Sequence, residues 1–551
     1  MNLYKYISDE INKKLGFVAN LEVPKNRDFG DFSTNAAMVG AKVAGKNPRE
    51  LANEFLPKLQ ELDFVQNVSV AGPGFINIKT KDDFILNSAT APEHIAAAKT
   101  MKMDLDYGSY NIGKALHIGH LRPIVVGDTF NRIAKFVGHK TKSYNHVGDW
   151  GRPMGLIIAW ILEYGMPKNA EEFNKIYPAS TARANEDEKW LNNAREITSE
   201  LQHGNSEYTK IYNQFIPMSL AQMNSVVQRM NVLPFDAIMG EKGVSEYIPE
   251  AKSILQNKKL LEQSDGALVV NIRNENDNAP MPPLIFQTNT GANSYAAADI
   301  AAVYYRNKTD APDKIIYFTD SRQTLHFQQL FRTIKIADIT KADLIHVGFG
   351  TITGMDGKPF KTRDGNTASL TDILDMVEAA VQERVAESNK TLNDTTINQI
   401  ALSAVKFNDL IHDVKSDYVF DPKAITSFEG RTGPYILYTA VRLNSVLKRA
   451  DANISKPKSY ELSFDERNLL IQIMDFERMI LSACENHAPD LLANYTYDLC
   501  QLANNFYHNC PILRDDIDAK TKAGRLYIAK LTFDTLAKAI DLMGLQIPDE
   551  M

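Results

Sequence analysis

The chain has little cysteine: three in 551 residues, Cys484, Cys500 and Cys510, all near the C-terminus and none in a CxxC pair. A structural zinc site needs closer, repeated ligand spacing, and a disulfide framework needs more cysteines. Both are set aside, and buried free thiols are the expectation. No apolar run reaches the roughly 20 residues that span a bilayer. The amino-terminal MNLYKYISDEINKKLGF alternates apolar and polar residues like an amphipathic helix and lacks the apolar core of a secretory signal. A cytoplasmic protein without a membrane partner is therefore expected. Internal repeats and long low-complexity segments are also missing. So is any excess of positive charge: the net charge is −7. A nucleic-acid partner would have to be held by a local basic patch, because backbone neutralisation needs Lys and Arg.

What remains is ordinary globular composition, 44% hydrophobic and 23% charged, in a chain long enough for several domains. Residues 1–100 read as a small α+β domain. It has a helix at Tyr4–Leu15, another helical pattern after NRDFGDFSTN, and a strand–turn–strand in VQNVSVAGPGFINIK around Gly72-Pro73-Gly74. A linker helix is expected near Ala89–Lys102. Residues 101–415 read as mixed α/β. MKMDLDY is a strand, Gly119–Val137 a helix ending at Gly138, and KTKSYNHV the next strand. This βαβ unit opens a doubly wound, Rossmann-like parallel sheet. LVVNI, KIIYFT and LIHVGF supply further strands, and a mostly helical insertion covers about 165–260. Residues 416–551 read as all-helical, with apolar spacing in IQIMDFERMILSAC and YIAKLTFDTLAKAIDLMGL.

The chemistry concentrates in GSYNIGKALHIGH, Gly108–His120, between the first strand and first helix of the βαβ unit. Open α/β sheets bind nucleotides there, outside the carboxyl ends of the strands. Gly108-x4-Gly113-Lys114 approaches a phosphate-binding P-loop, but Ala115 stands where a Mg²⁺-holding Ser or Thr is needed. A metal pair His117/His120 would need a third ligand nearby. The alternative is an anion site: two imidazoles at a helix N-terminus meet an anion, Gly119 leaves room for close approach, and Lys114 adds charge.

Asn111-Ile112-Gly113-Lys114-x2-His117-Ile118-Gly119-His120-Leu121-Arg122 resembles the HIGH motif of class I aminoacyl-tRNA synthetases, in its arginyl form. Asn145–Gly151, Tyr295-x3-Asp299, Gln323-x-Leu325-His326-Phe327, Gly357–Arg363 as a degenerate KMSKS loop, Ser427–Gly430 with Pro434-Tyr435, and Gly72–Asn77 are similar to that family's other signatures. The likeness runs from about Asp28 to the last residue. Departures are Asp106, where the family often has Glu, Tyr110 in a Ser-Pro-Asn position, and Arg152-Pro153-Met154.

The resemblance implies an arginine–tRNA ligase. It would have an N-terminal domain on the tRNA elbow, a Rossmann-like catalytic domain and an all-helical anticodon-binding domain. ATP would be the substrate with Mg²⁺, with L-arginine and arginine tRNA as partners, no zinc, and a monomeric state. It implies His117, His120, Lys114, Lys361 and Arg363 as catalytic. Asp106, Ser109, Asn111, His120, Tyr295, Asp299 and Gln323 would bind arginine. Lys114, His117, Gly119, His120, His326 and Lys361 would bind ATP. Phe75, Asn77, Phe428, Gly430, Tyr435, Tyr438 and Arg442 would meet tRNA. On pattern alone, Phe75 and Asn77 fit either a core strand or an exposed aromatic–amide pair that stacks on a base. Tyr435, Tyr438 and Arg442, at helical spacing, fit either core or an RNA face. A synthetase for another amino acid and a non-catalytic tRNA-binding relative are the rivals. The first is opposed by the lack of zinc-binding cysteines in the catalytic region, the second by the intact His117, His120, Lys114 and Asp299.

Overall fold

The computed structural model describes every residue except 1–2, 25, 94, 276, 278, 359, 361–367, 389–390 and 451–452. The chain divides into two compact units. No helix among the described residues is long and apolar enough to cross a membrane.

One unit joins residues 1–95, 392–403 and 427–551, so the N-terminal and C-terminal segments pack together. The N-terminal part holds a four-stranded antiparallel sheet of β1 (Leu21–Glu22), β2 (Phe32–Thr34), β3 (Val65–Ala71) and β4 (Phe75–Thr80), in the order β1-β2-β4-β3. Ile76 and Ile78 alternate inward on β4 and are fully buried. The C-terminal part is a helix bundle. Its Arg467 ties the two segments together, donating to Asp31 at 2.7 Å and to the Thr80 carbonyl at 3.0 Å, and pairing with Asp82. A buried guanidinium needs this many acceptors to offset its lost hydration. IQIMDFERMILSAC, expected to be helical, is covered by two helices, Phe464–Met474 and Phe476–Glu485, meeting at Asp475.

The expected linker helix at Ala89–Lys102 does not form. The helix is earlier, Asp82–Ser88, and the following stretch is irregular up to the next strand. Pro92 interrupts the alanine-rich run, and the Ala97 N–H is taken by the Val137 carbonyl at 2.9 Å. Tertiary pairing thus overrides a favourable helix propensity.

The second unit, residues 96–391 and 404–426, is built on a five-stranded parallel sheet. Its strands are β5 (Lys102–Asp106), β6 (Lys140–Val147), β7 (Ala237–Gly240), β11 (Lys314–Asp320) and β12 (Asp343–Phe349), in the order β12-β11-β5-β6-β7. Chain order reverses between β5 and β11, the switch point at which such sheets bind ligands. The central β5 is buried on both faces apart from Lys102, as a parallel strand covered by helices must be. The helix Leu121–Phe136 crosses from β5 to β6 and ends before Gly138, which takes a left-handed φ of 89°. Arg122 in its first turn is buried against Asp409 at 3.0 Å and donates to the Ser416 carbonyl at 2.7 Å.

Two expectations need correction here. LVVNI does form a strand, β9 (Ala267–Val270), but it lies between β8 (Leu261–Ser264) and β10 (Leu284–Gln287) in a separate antiparallel sheet. The stretch read as helical insertion carries long helices over Ala170–Glu186, Glu188–Gln202 and Ser206–Arg229, but also contains the core edge strand β7. Four residues are too few to show an alternating pattern against helical surroundings.

Candidate active site

The loop after β5 runs along the carboxyl edge of the sheet. Gly108 passes so close to β6 that a Cβ there would lie 2.1 Å from the Asn145 side-chain oxygen. The backbone of Tyr110–Ile112 then pairs with Gly148: the Gly148 N–H donates to the Tyr110 carbonyl at 2.8 Å, and the Ile112 N–H donates to the Gly148 carbonyl at 3.2 Å. This pairing leaves Ser109 and Asn111 exposed at the mouth, Ser109 with a left-handed φ of 52°. Tyr110 is fully buried and meets His120 edge-on.

His117 and His120 form the start of the helix reciprocally. The Gly119 N–H donates to His117 Nδ1 at 3.0 Å, and the His117 N–H donates to His120 Nδ1 at 3.1 Å. Each Nδ1 is therefore an acceptor, which puts the proton of each neutral ring on Nε2. Burial pushes His120 down to about 3, and burial together with the charge of Lys114 lowers His117. The rings, 4.1 Å apart, are thus neutral Nε2–H donors at neutral pH. A Cβ on Gly119 would press to 2.8 Å from the His117 ring, so glycine preserves this geometry as well as access. Lys114 is exposed, with its ammonium 5.3 Å from the Tyr177 ring centre. Gly113, Lys114, His117, Tyr177 and Ser369 share one cleft of about 390 Å³.

Lys361 and Arg363 lie outside the described residues. The segment that follows them is fixed to the histidine loop: the Ile118 N–H donates to the Ala368 carbonyl at 3.1 Å, and the Leu370 N–H donates to the Leu116 carbonyl at 2.8 Å.

Across the switch point, the helix Tyr295–Thr309 starts at the Ser294 cap and presents Tyr295, 79% exposed, one turn before Asp299. The Asp299 carboxylate bonds His326 Nε2 at 2.7 Å, and this bond raises the imidazole above its ordinary value. Gln323 is exposed in the short turn after β11, just before the helix carrying His326. Asp106 is 3% exposed, and one oxygen of its carboxylate is held by Arg306, itself fully buried between the rings of Tyr144 and Tyr317.

The His326–Asp299 bond has a pH consequence. With Asp299 as its partner, His326 keeps its proton above the usual imidazole range. A bound guanidinium would take over Asp299 and place a cation beside the ring, so binding would expel that proton. Proton release on binding means affinity rises with pH, by at most about tenfold per unit, below the raised imidazole value. Guanidinium affinity is expected to rise with pH up to the raised imidazole value, and His326→Asn to flatten that slope. A guanidinium affinity independent of pH in the parent protein would contradict this linkage.

Three family models match the chain in order. They are the arginyl tRNA synthetase N terminal domain over residues 1–80, the catalytic domain of tRNA synthetases class I (R) over 84–422, and the DALR anticodon binding domain over 436–551. The chain belongs to the arginyl-tRNA synthetase family. It is 34% identical to the arginine–tRNA ligase of Alkaliphilus oremlandii, over 98% of this chain and 96% of that one. It is 36% identical to that of Shewanella sp. strain ANA-3, over 97% and 96%. In fold it matches the Thermus thermophilus arginyl-tRNA synthetase with a TM-score of 0.86 at 22% identity, over 100% of both chains.

As an arginyl-tRNA synthetase the chain holds one acid that sequence reading missed. Glu241 follows β7, is half-buried, and is raised by that desolvation; Asp149 and Asp299 add to the rise. The signal lay in its position at the carboxyl end of a core strand, which stayed hidden because β7 itself did. In the terminal unit, Asn77 corrects the exposed-amide alternative. It is 5% exposed on the middle strand β4, paired with Ser33 and Ser69, while Phe75 is half-buried. Tyr435, Tyr438 and Arg442 are half-buried on the helix Gly433–Ala450. Arg442 lies 4.6 Å from the Tyr507 ring, and Asn504 donates to the Tyr435 hydroxyl at 2.9 Å. Phe428 is half-buried and Gly430 exposed just upstream.

Proposed function

We propose that this arginyl-tRNA synthetase activates arginine at the carboxyl edge of β5 and β11. A carboxylate oxygen of L-arginine attacks the α-phosphorus of Mg²⁺-ATP. The bond to the β-phosphate oxygen breaks, and pyrophosphate leaves. The 2′-hydroxyl of the tRNA's terminal adenosine then attacks the carbonyl carbon of the adenylate, forming arginyl-tRNA and releasing AMP. His117 and His120 donate Nε2–H bonds to the phosphates, Lys114 adds charge on the pyrophosphate side, and Lys361 and Arg363 add more. Gly119 admits the nucleotide and His326 borders it. Asp299, with Glu241 as second carboxylate and Tyr295 beside it, reads the guanidinium. Asn111, Ser109 and Gln323 hold the α-amino end. The observation that supports this most is the placement of the imidazole pair and Asp299 on opposite sides of one switch point. Charging of arginine tRNA with labelled arginine by the full chain tests it. Absence of charging by folded protein would refute it.

The tRNA reading assigns Phe75 to the elbow, and the Arg442–Tyr435–Tyr438 surface with Phe428 and Gly430 to the anticodon side. The proposal includes a cytoplasmic monomer. Stacking one base contributes about 1–3 kcal/mol. Phe75→Ala is therefore expected to raise the Kd for arginine tRNA about 5- to 100-fold, leaving the ATP KM unchanged. An unchanged Kd in folded protein would remove Phe75 from the interface.

A further inference from the structure

Lys114 does not stand alone in its cleft. The turn that carries it is braced by two of the inserted helices. A Cβ on Gly113 would lie 3.2 Å from the Tyr177 Cβ and 2.7 Å from Ile157, so the helix Ala170–Glu186 packs against that backbone. From the helix Ser206–Arg229, the Ser219 hydroxyl accepts the Gly113 N–H at 3.3 Å. The Lys114 ammonium lies over the face of Tyr177, 5.3 Å from its centre. Both residues line the cleft that also contains His117 and Ser369. The charge of Lys114 reaches His117 and His120 and contributes to lowering both.

An ammonium on a four-carbon stem has many rotamers, and fixing it costs conformational entropy. A ring face 5–6 Å away offers an attraction that does not neutralise the charge, unlike a carboxylate. A phosphate oxygen can then draw the ammonium off the ring with little loss.

We infer that Tyr177 is a positioning residue for Lys114. Its ring keeps the ammonium in the cleft beside His117 and His120, ready for the leaving pyrophosphate. The inserted helix thereby takes part in the first chemical step without touching substrate. This inference rests on the reading of Lys114 given under the proposed function.

The test is single-turnover adenylate formation by the full chain with saturating arginine, ATP and arginine tRNA, in four variants. Tyr177 is half-buried, so its replacement leaves the core intact. Tyr177→Leu is expected to slow the step about 2- to 5-fold, the scale of a cation–π contact at an exposed site, with the arginine KM unmoved. Tyr177→Phe, which keeps the ring, is expected to stay within about twofold of the parent, as the same ring face remains. Adding Tyr177→Leu to Lys114→Met is expected to change nothing further, because its only route is through the ammonium. An equal loss from Tyr177→Leu in both backgrounds would show a merely structural role and overturn the inference. So would parental rates in Tyr177→Leu when Lys114→Met is slow. If Lys114→Met itself ran at the parental rate, the assignment of Lys114 would fall, and the inference with it.

Discussion

Asp299→Asn is expected to raise the arginine KM by two to three orders of magnitude while the ATP KM stays in place. The substitution keeps the shape and the oxygen that faces His326 but removes the negative charge. Leaving a desolvated guanidinium without its partner costs about 3–5 kcal/mol, which is about 10²- to 4 × 10³-fold in affinity. The Asp299 side chain is 26% exposed, open enough to be reached and enclosed enough for a bound guanidinium to be dried around it. Glu241 remains in the variant, which keeps the loss at the lower end of that range. Citrulline gives the discriminating control, since it has the length of arginine without the charge. The ratio of arginine to citrulline activation should collapse in Asp299→Asn. An unchanged ratio would show that Asp299 does not select the side chain.

His120→Ala and Lys114→Ala are each expected to slow adenylate formation about 10²-fold or more, the scale of a lost donor at a developing anion. The two act differently. His120 is neutral and gives one oriented Nε2–H bond, and its Nδ1 also caps the His117 N–H, so alanine removes both. His120→Asn restores part of the hydrogen bonding and should recover part of the rate. Lys114 gives charge without a fixed bond, so Lys114→Arg should outperform Lys114→Ala. Parental single-turnover rates in both alanine variants would detach the histidine loop from the chemistry.

The histidine loop was legible because its signal is local. A strand, a glycine-bearing loop and a capped helix follow one another within some thirty residues, and the structure keeps that order from β5 to the helix Leu121–Phe136. Lys140–Val147 was legible for the same reason: a short run that follows directly on the helix-ending Gly138. Other features depend on partners far along the chain. That Asp106 belongs to Arg306, 200 residues away, no spacing reveals. The burial of Asn77 follows from β4 being the middle strand, which needs β2 and β3 to be placed first. Glu241 was invisible because its strand is four residues long inside a helical stretch. The missing helix at Ala89–Lys102 shows the converse error, a local propensity outweighed by a backbone bond to Val137. Arg467 helps join the two terminal segments, reaching Asp31 across 436 positions.

The most direct measurement of the central claim is ATP–pyrophosphate exchange by the full chain, offered each standard amino acid in turn with arginine tRNA present. The account predicts exchange with arginine above all others, abolished with arginine by Asp299→Asn at subsaturating concentration and by His120→Ala at saturation. Exchange driven better by a different amino acid, or arginine-dependent exchange that survives in both variants, would contradict it.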